Sequence, residues 1–116
     1  MQIWDLANLE VKPHQPEVIE SEEAGRAIVI QLPSGEELGE HQVHERALLV
    51  VISGRVELED ASGETAAGSA GLMAIWEPQE RHAVRATEDS RLLLMLAPWP
   101  GPGHPNLRNQ DEESSG

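Results

Sequence analysis

The chain has 116 residues and no cysteine, so one domain can bury a core without staples, and neither a disulfide framework nor a thiolate metal site is available. Eight Lys and Arg against 21 Asp and Glu give a net charge of -13, which repels phosphate backbones and excludes general nucleic-acid binding where no basic patch is visible. The longest apolar runs, such as Ala47 to Ile52, are far too short to span a bilayer, and Met1 to Glu10 has no basic or apolar leader region; a cytoplasmic protein without a membrane partner is expected.

In chain order, Ile3-Trp4-Asp5-Leu6 is a short stretch whose Trp and Leu can cover one end of a barrel or pair with a partner's edge strand. Lys12-Pro13-His14-Gln15-Pro16 interrupts regular structure, and His14 between two prolines reads as a surface residue. Glu17 to Glu20 is a short strand before a polar turn, and Arg26 to Leu32 a longer one ended by the turn Pro33-Ser34-Gly35.

The next stretch organises the rest. Gly35 to Gly54 brings His41, His44 and Glu45 close together, then enters the block Ala47-Leu48-Leu49-Val50-Val51-Ile52 and stops at Ser53-Gly54. A short block rich in β-branched residues, closed by Ser-Gly, predicts a strand buried on both faces. A helix would put His41 and His44 on one face, but Val50-Val51-Ile52 is a poor helical run and Gly54 comes too early.

Arg55-Val56-Glu57-Leu58-Glu59 alternates, so Val56 and Leu58 face inward and the charges face water. Asp60 to Gly63 is a hairpin turn, Glu64 to Ala67 a return strand, Gly68 to Gly71 a further turn and Leu72 to Trp76 a buried strand. Arg81 to Ala86 carries His82 and Val84 on one face, and Arg91 to Ala97 is the last strand. Many short strands with turns between them predict an all-β fold, an antiparallel jelly-roll β-barrel. Beyond Ala97, the proline-rich run to Pro105 suits an irregular strap anchored by Trp99, and Asn106 to Gly116 a loose acidic tail. The organisation is therefore an N-terminal arm over 1–25, a barrel over 26–97, and strap and tail over 98–116.

The stretch from Gly35 resembles the first cupin motif, G-x5-H-x-H-x3-E-x6-G, with Gly35, His41 and Gly54 in register; Val43 replaces the second His and Ala47 the Glu. The second cupin motif, G-x5-P-x-G-x2-H-x3-N, is echoed by Gly71 and His82, with its Pro displaced to Pro78, Gln79 at the Gly position and Ala86 at the Asn position. The resemblance implies a small cupin barrel in which His41 and His82 project inward from adjacent strands. It also implies a homodimer, which exposed sheet edges and the N-terminal Trp4 favour as well.

Two imidazoles alone make a weak metal site, and His44 is the nearest replacement for the missing ligands. By strand alternation His44 points away from the His41 and Val43 face, so a bulge near Gln42 is needed to bring it inward, and Glu40 or Glu45 can supply a carboxylate by the same device. His41, His44 and His82 would then hold a divalent Zn, Ni, Fe or Mn ion, with Val43, Ala47 and Trp76 lining a pocket for a small molecule. Arg46 and Arg81 can bind a carboxylate substrate or pair with surface Glu residues. No nucleophile set or phosphate loop is evident. Three readings stand open: a metal-dependent protein acting on or binding a small molecule, a metal-free binding module with no catalytic activity, and a stand-alone stress or detoxification protein whose chemistry the sequence does not specify.

Overall fold

The structure, a computed structural model, describes residues 1–22, 25–38 and 45–98. Eight antiparallel strands form two facing sheets: β1 (Glu17–Glu22), β2 (Gly25–Leu32), β3 (Arg46–Ser53), β4 (Arg55–Asp60), β5 (Thr65–Ser69), β6 (Met73–Trp76), β7 (His82–Ala86) and β8 (Ser90–Ala97). The larger sheet has the order β1-β2-β8-β3-β6 and the smaller β5-β4-β7. Glu36 to Leu38 extends the smaller sheet beside β7, through Leu38 N–H to Val84 O (2.8 Å) and Ala86 N–H to Glu36 O (2.9 Å). The expected all-β jelly roll is therefore the observed architecture. Among the described residues there is no helix, and none long and apolar enough to cross a membrane.

Alternation decides what each strand buries. On β3, Ala47, Leu49 and Val51 are 2% exposed or less, and they meet Val56 and Leu58 of β4 and Val84 and Ala86 of β7 in one cluster. Each fully buried Leu or Val side chain stabilises the fold by about 1.5–3 kcal/mol relative to exposure. Leu48, Val50 and Ile52 on the other face are only half-buried, so β3 is closed on one side and not on both as its composition suggests. The strand from Met73 to Trp76 departs further from the expected buried strand. As the edge of its sheet it leaves Met73 56% and Ile75 41% exposed and turns only Ala74 and Trp76 inward.

Two motif positions are explained by backbone geometry. Gly54 carries the chain from β3 in the larger sheet to β4 in the smaller, at φ +88°, and a Cβ there would lie 2.3 Å from the carbonyl oxygen of Asp89. Ser90, fully buried, secures the same crossing: its Oγ accepts from the Arg55 N–H at 3.0 Å and donates to Glu88 O at 2.7 Å. At the second position Gln79 stands where the family motif has Gly, and it adopts φ +68° in the turn closed by Glu80 N–H to Glu77 O. The left-handed site survives the loss of the glycine.

The N-terminal arm does not cover the barrel end with Trp4, which is 41% exposed. It is held instead by its backbone. The Arg91 guanidinium donates to the carbonyls of Leu6, Ala7 and Leu9 and to Gln31 Oε1, tying the arm over one end of the outer face of the larger sheet. His14 is a surface residue as expected, 3.3 Å from the Glu36 carboxylate.

Candidate functional site

The registers line up one interior rung across the larger sheet: Arg26 opposite Leu96, Leu96 opposite Ala47, and Ala47 opposite Trp76. From the smaller sheet, His82 at the start of β7 meets this rung, its ring stacked on the Trp76 indole with centroids 4.1 Å apart and planes 11° from parallel. Both rings are buried, Trp76 at 6% and His82 at 4% exposure. The stack follows from sequence position: Trp76 is the last inward residue of β6, and the Glu77 to Glu80 turn returns the chain so that β7 begins with His82 facing inward.

One contact fixes the chemistry of the imidazole. His82 Nδ1 lies 3.1 Å from the Glu80 carbonyl oxygen, which can only accept, so Nδ1 carries a proton and donates it there. A backbone carbonyl holding one ring nitrogen is the arrangement that orients a ligating histidine.

Glu45 is 1% exposed and continues the inward row of Ala47, Leu49 and Val51. Ordinary alternation therefore turns this carboxylate inward, with none of the bulge the sequence reading required. Arg26, which that reading passed over, continues the inward row of Ile28, Ile30 and Leu32; it is half-buried, and its Nε atom is wholly so. The signal for both was present in strand parity, since each lies two residues from an apolar residue of the inward face.

The other expected site residues divide clearly. Ala47 and Trp76 lie on the interior rung with His82. His41, Val43 and His44 lie outside the described residues, as does Trp99. Arg46 is turned outward, 55% exposed and 3.2 Å from Glu77 Oε1, and Arg81 is exposed, so pairing with the acidic surface is what Arg46 does. Among the described residues no three His, Cys, Asp or Glu side chains are grouped to hold a metal ion. The groups that are described, an imidazole oriented through Nδ1 and a buried carboxylate, are of the types a borderline divalent ion prefers.

Two clefts lie near this rung. One of about 450 Å³, walled by the outward-facing Ala27, Met95 and Ala97 of the larger sheet, is also lined by Glu20, Gly25, Arg26 and Leu96 and does not include His82 or Trp76. The other, about 350 Å³, is polar and acidic, and brings Glu37, Glu59, Asp60 and Ser62 toward His82.

Comparisons with known proteins agree with this geometry. Residues 27–98 match the family model described as a cupin domain. No curated protein matches the chain. Among solved structures, an RmlC-like cupin protein from Desulfovibrio desulfuricans is similar at 21% identity and TM-score 0.75, over 84% of this chain and 97% of that one. A conserved protein with a double-stranded beta-helix domain from Klebsiella pneumoniae is similar at 22% identity and TM-score 0.73, over 90% and 94%. KdgF from Halomonas sp. is similar at 22% identity and TM-score 0.69, over 78% and 85%. At these identities the likeness is one of fold.

Proposed function

The chain belongs to the cupin family, and from that premise we propose that it binds a small molecule at the interior end of the barrel, beside a divalent transition metal held through His82. The observation that carries this reading is the His82 ring: buried, stacked on Trp76, and oriented through Nδ1 by the Glu80 carbonyl. Glu45 is the described carboxylate suited to join it; His41 would join by the family resemblance, and His44 as the nearest replacement for the missing ligands. A metal bound there would act as a Lewis acid toward a coordinated oxygen. The chain's own residues supply the rest: Trp76, Ala47 and Leu96 exclude water and pack an apolar body, and Glu45 is placed to accept a proton or a hydrogen bond.

A second reading, a metal-free binding module, is favoured by Ala47, which stands fully buried where the family motif has a liganding Glu. Elemental analysis of untagged protein separates the two. Stoichiometric Zn, Ni, Mn or Fe in the wild type, lost in His82→Ala, supports the metal. No metal, together with no thermal shift on adding any of the four salts, leaves the metal-free module.

The same reading includes a second copy of the chain as partner, seated on the outer face of the larger sheet. There Leu48, Val50, Met73, Ile75, Leu93 and Met95 form a surface without a charge. Two molecules of net charge -13 repel each other everywhere except at such a face, which favours self-association there over other orientations. With no cysteine to oxidise, the chain suits a reducing cytoplasm.

A further inference from the structure

We propose that Trp4 of one copy of the chain docks into the apolar groove on the outer face of the larger sheet of a second copy, so that each arm fastens the other molecule. This rests on the reading of that face as the seat of a second copy and names the segment that holds the two together. The arm is fixed from Asp5 onward. Asn8 donates to the Asp5 carbonyl through its backbone N–H (3.2 Å) and to the Asp5 carboxylate through its side chain (2.7 Å), Arg91 holds the carbonyls of Leu6, Ala7 and Leu9, and Val11 is buried. The stretch before it, Met1-Gln2-Ile3-Trp4, carries no charged side chain and leaves Met1, Ile3 and Trp4 exposed. Apolar side chains held in water beside an anchored turn gain by burial, and the indole gains most, since an aromatic side chain buries about 150–250 Å².

The groove has the matching character. About 450 Å³ in volume, it is walled by Ala27, Met95 and Ala97, and its two charged lining groups, Glu20 and Arg26, are of opposite sign. None of the described residues 1–16 of the same chain lines it. It also continues the apolar outer face, because Met95 stands opposite Ala27 on one side and Leu48 on the other. In a chain of net charge -13, an uncharged segment entering a charge-balanced groove is the approach that meets least repulsion.

Symmetry brings the two features together. The arm is tied at the Gln31–Arg91 pair and the groove lies at the Ala27–Met95 pair, four residues along the same β2–β8 ladder, about 13 Å away along the strands. Two copies packed outer face to outer face about a two-fold axis that runs across the strands have their strand directions reversed. The arm end of each then stands over the groove end of the other, and both grooves are filled in a closed, self-complementary pair. A buried aromatic anchor at the margin of a flat apolar face is the kind of contact that carries binding energy.

Sedimentation of the full chain and cross-linking between copies test this. Trp4→Ala is expected to raise the dimer dissociation constant about tenfold to a hundredfold while leaving the melting temperature of the dilute monomer unchanged, and Trp4→Phe to recover part of the loss. The chain has no cysteine, so introduced thiols report single contacts. Ile3→Cys and Ala27→Cys proteins, mixed, left to exchange subunits and treated with a short bifunctional maleimide, are expected to give a cross-linked dimer containing one of each. A wild-type dimer that Trp4→Ala leaves equally tight, or a mixture that yields no mixed cross-link, would overturn the docking of the arm and keep the second copy. A double variant, Ile3→Cys with Ala27→Cys, that cross-links within one chain instead would place the arm in its own groove and overturn the exchange. A wild type that sediments as a monomer at every concentration would overturn both the second copy and the docking.

Discussion

The two sheets of this barrel are built from the same kind of strand but present opposite exteriors. The smaller sheet turns Arg55, Glu57, Glu59 and Arg85 to water while Val56, Leu58 and Val84 fill the core. The larger sheet fills the same core with Leu49, Val51 and Leu92, yet its outer surface is also apolar, through Leu48, Val50 and Leu93. The difference teaches that an inward face is required of any sheet in a sandwich, whereas an apolar outward face is a separate specification that solvent does not reward. The exterior of the smaller sheet is charged; that of the larger sheet is apolar at these positions, which is why the proposed second copy is seated there.

The largest way to break the comparison is at the crossing between the sheets. Gly54→Ala forces a positive φ on a residue with a Cβ and drives that atom into Asp89 O and Ser90 Oγ, so backbone must shift on both sides. We expect a loss of about 3 kcal/mol or more in denaturant unfolding, enough to leave little folded protein if the domain is marginal.

The comparison is sharpened by charging the outer face of the larger sheet. Ile75→Glu, at an edge position already 41% exposed, is expected to change the unfolding free energy of the single chain by about 1 kcal/mol or less. In sedimentation it is expected to convert a dimer to a monomer, whereas Glu57→Ala on the smaller sheet leaves the mass unchanged. A wild-type protein that sediments as a monomer would remove the second copy from the reading.

The smallest effect belongs to the turn of the smaller sheet. The Ser62 hydroxyl, helped by the N–H groups of Ser62, Glu64 and Gly63 and opposed by partial burial, holds the Asp60 carboxyl below its ordinary value. A lowered folded-state pKa stabilises the protein above the ordinary carboxyl range, near pH 4, and that stabilisation is lost as pH falls through the folded value. Melting temperatures of wild type and Asp60→Asn are therefore expected to differ by a constant small amount from pH 7 down to about 5 and to converge below about 4.

Much of this was legible in the chain, for definite physical reasons. The Arg55 to Glu59 alternation fixes its own faces, and the turns at Ser34-Gly35 and Ser62-Gly63 have the residues that left-handed φ demands. His82 was legible because its strand parity and the motif spacing agree. Glu45 and Arg26 were harder because a charged side chain on an inward row contradicts hydrophobic patterning, and the contradiction is resolved only by the register with Leu96 and Trp76. The exposure of Met73 and Ile75 was not legible at all: Met-Ala-Ile-Trp reads alike at a sheet's centre or its edge, and only the strand order distinguishes them.

The stacked ring pair has a practical consequence. Of the chain's three indoles, Trp4 is 41% exposed while Trp76 is buried in van der Waals contact with the imidazole, so these two sit in different surroundings. Anything that changes the electronic state of His82, whether a proton, a metal ion or a ligand group, is expected to alter the quenching of Trp76, and a Trp76→Leu variant isolates that part of the signal from Trp4 and Trp99. The barrel thus carries its own optical readout, without a label, at the place where its chemistry is expected.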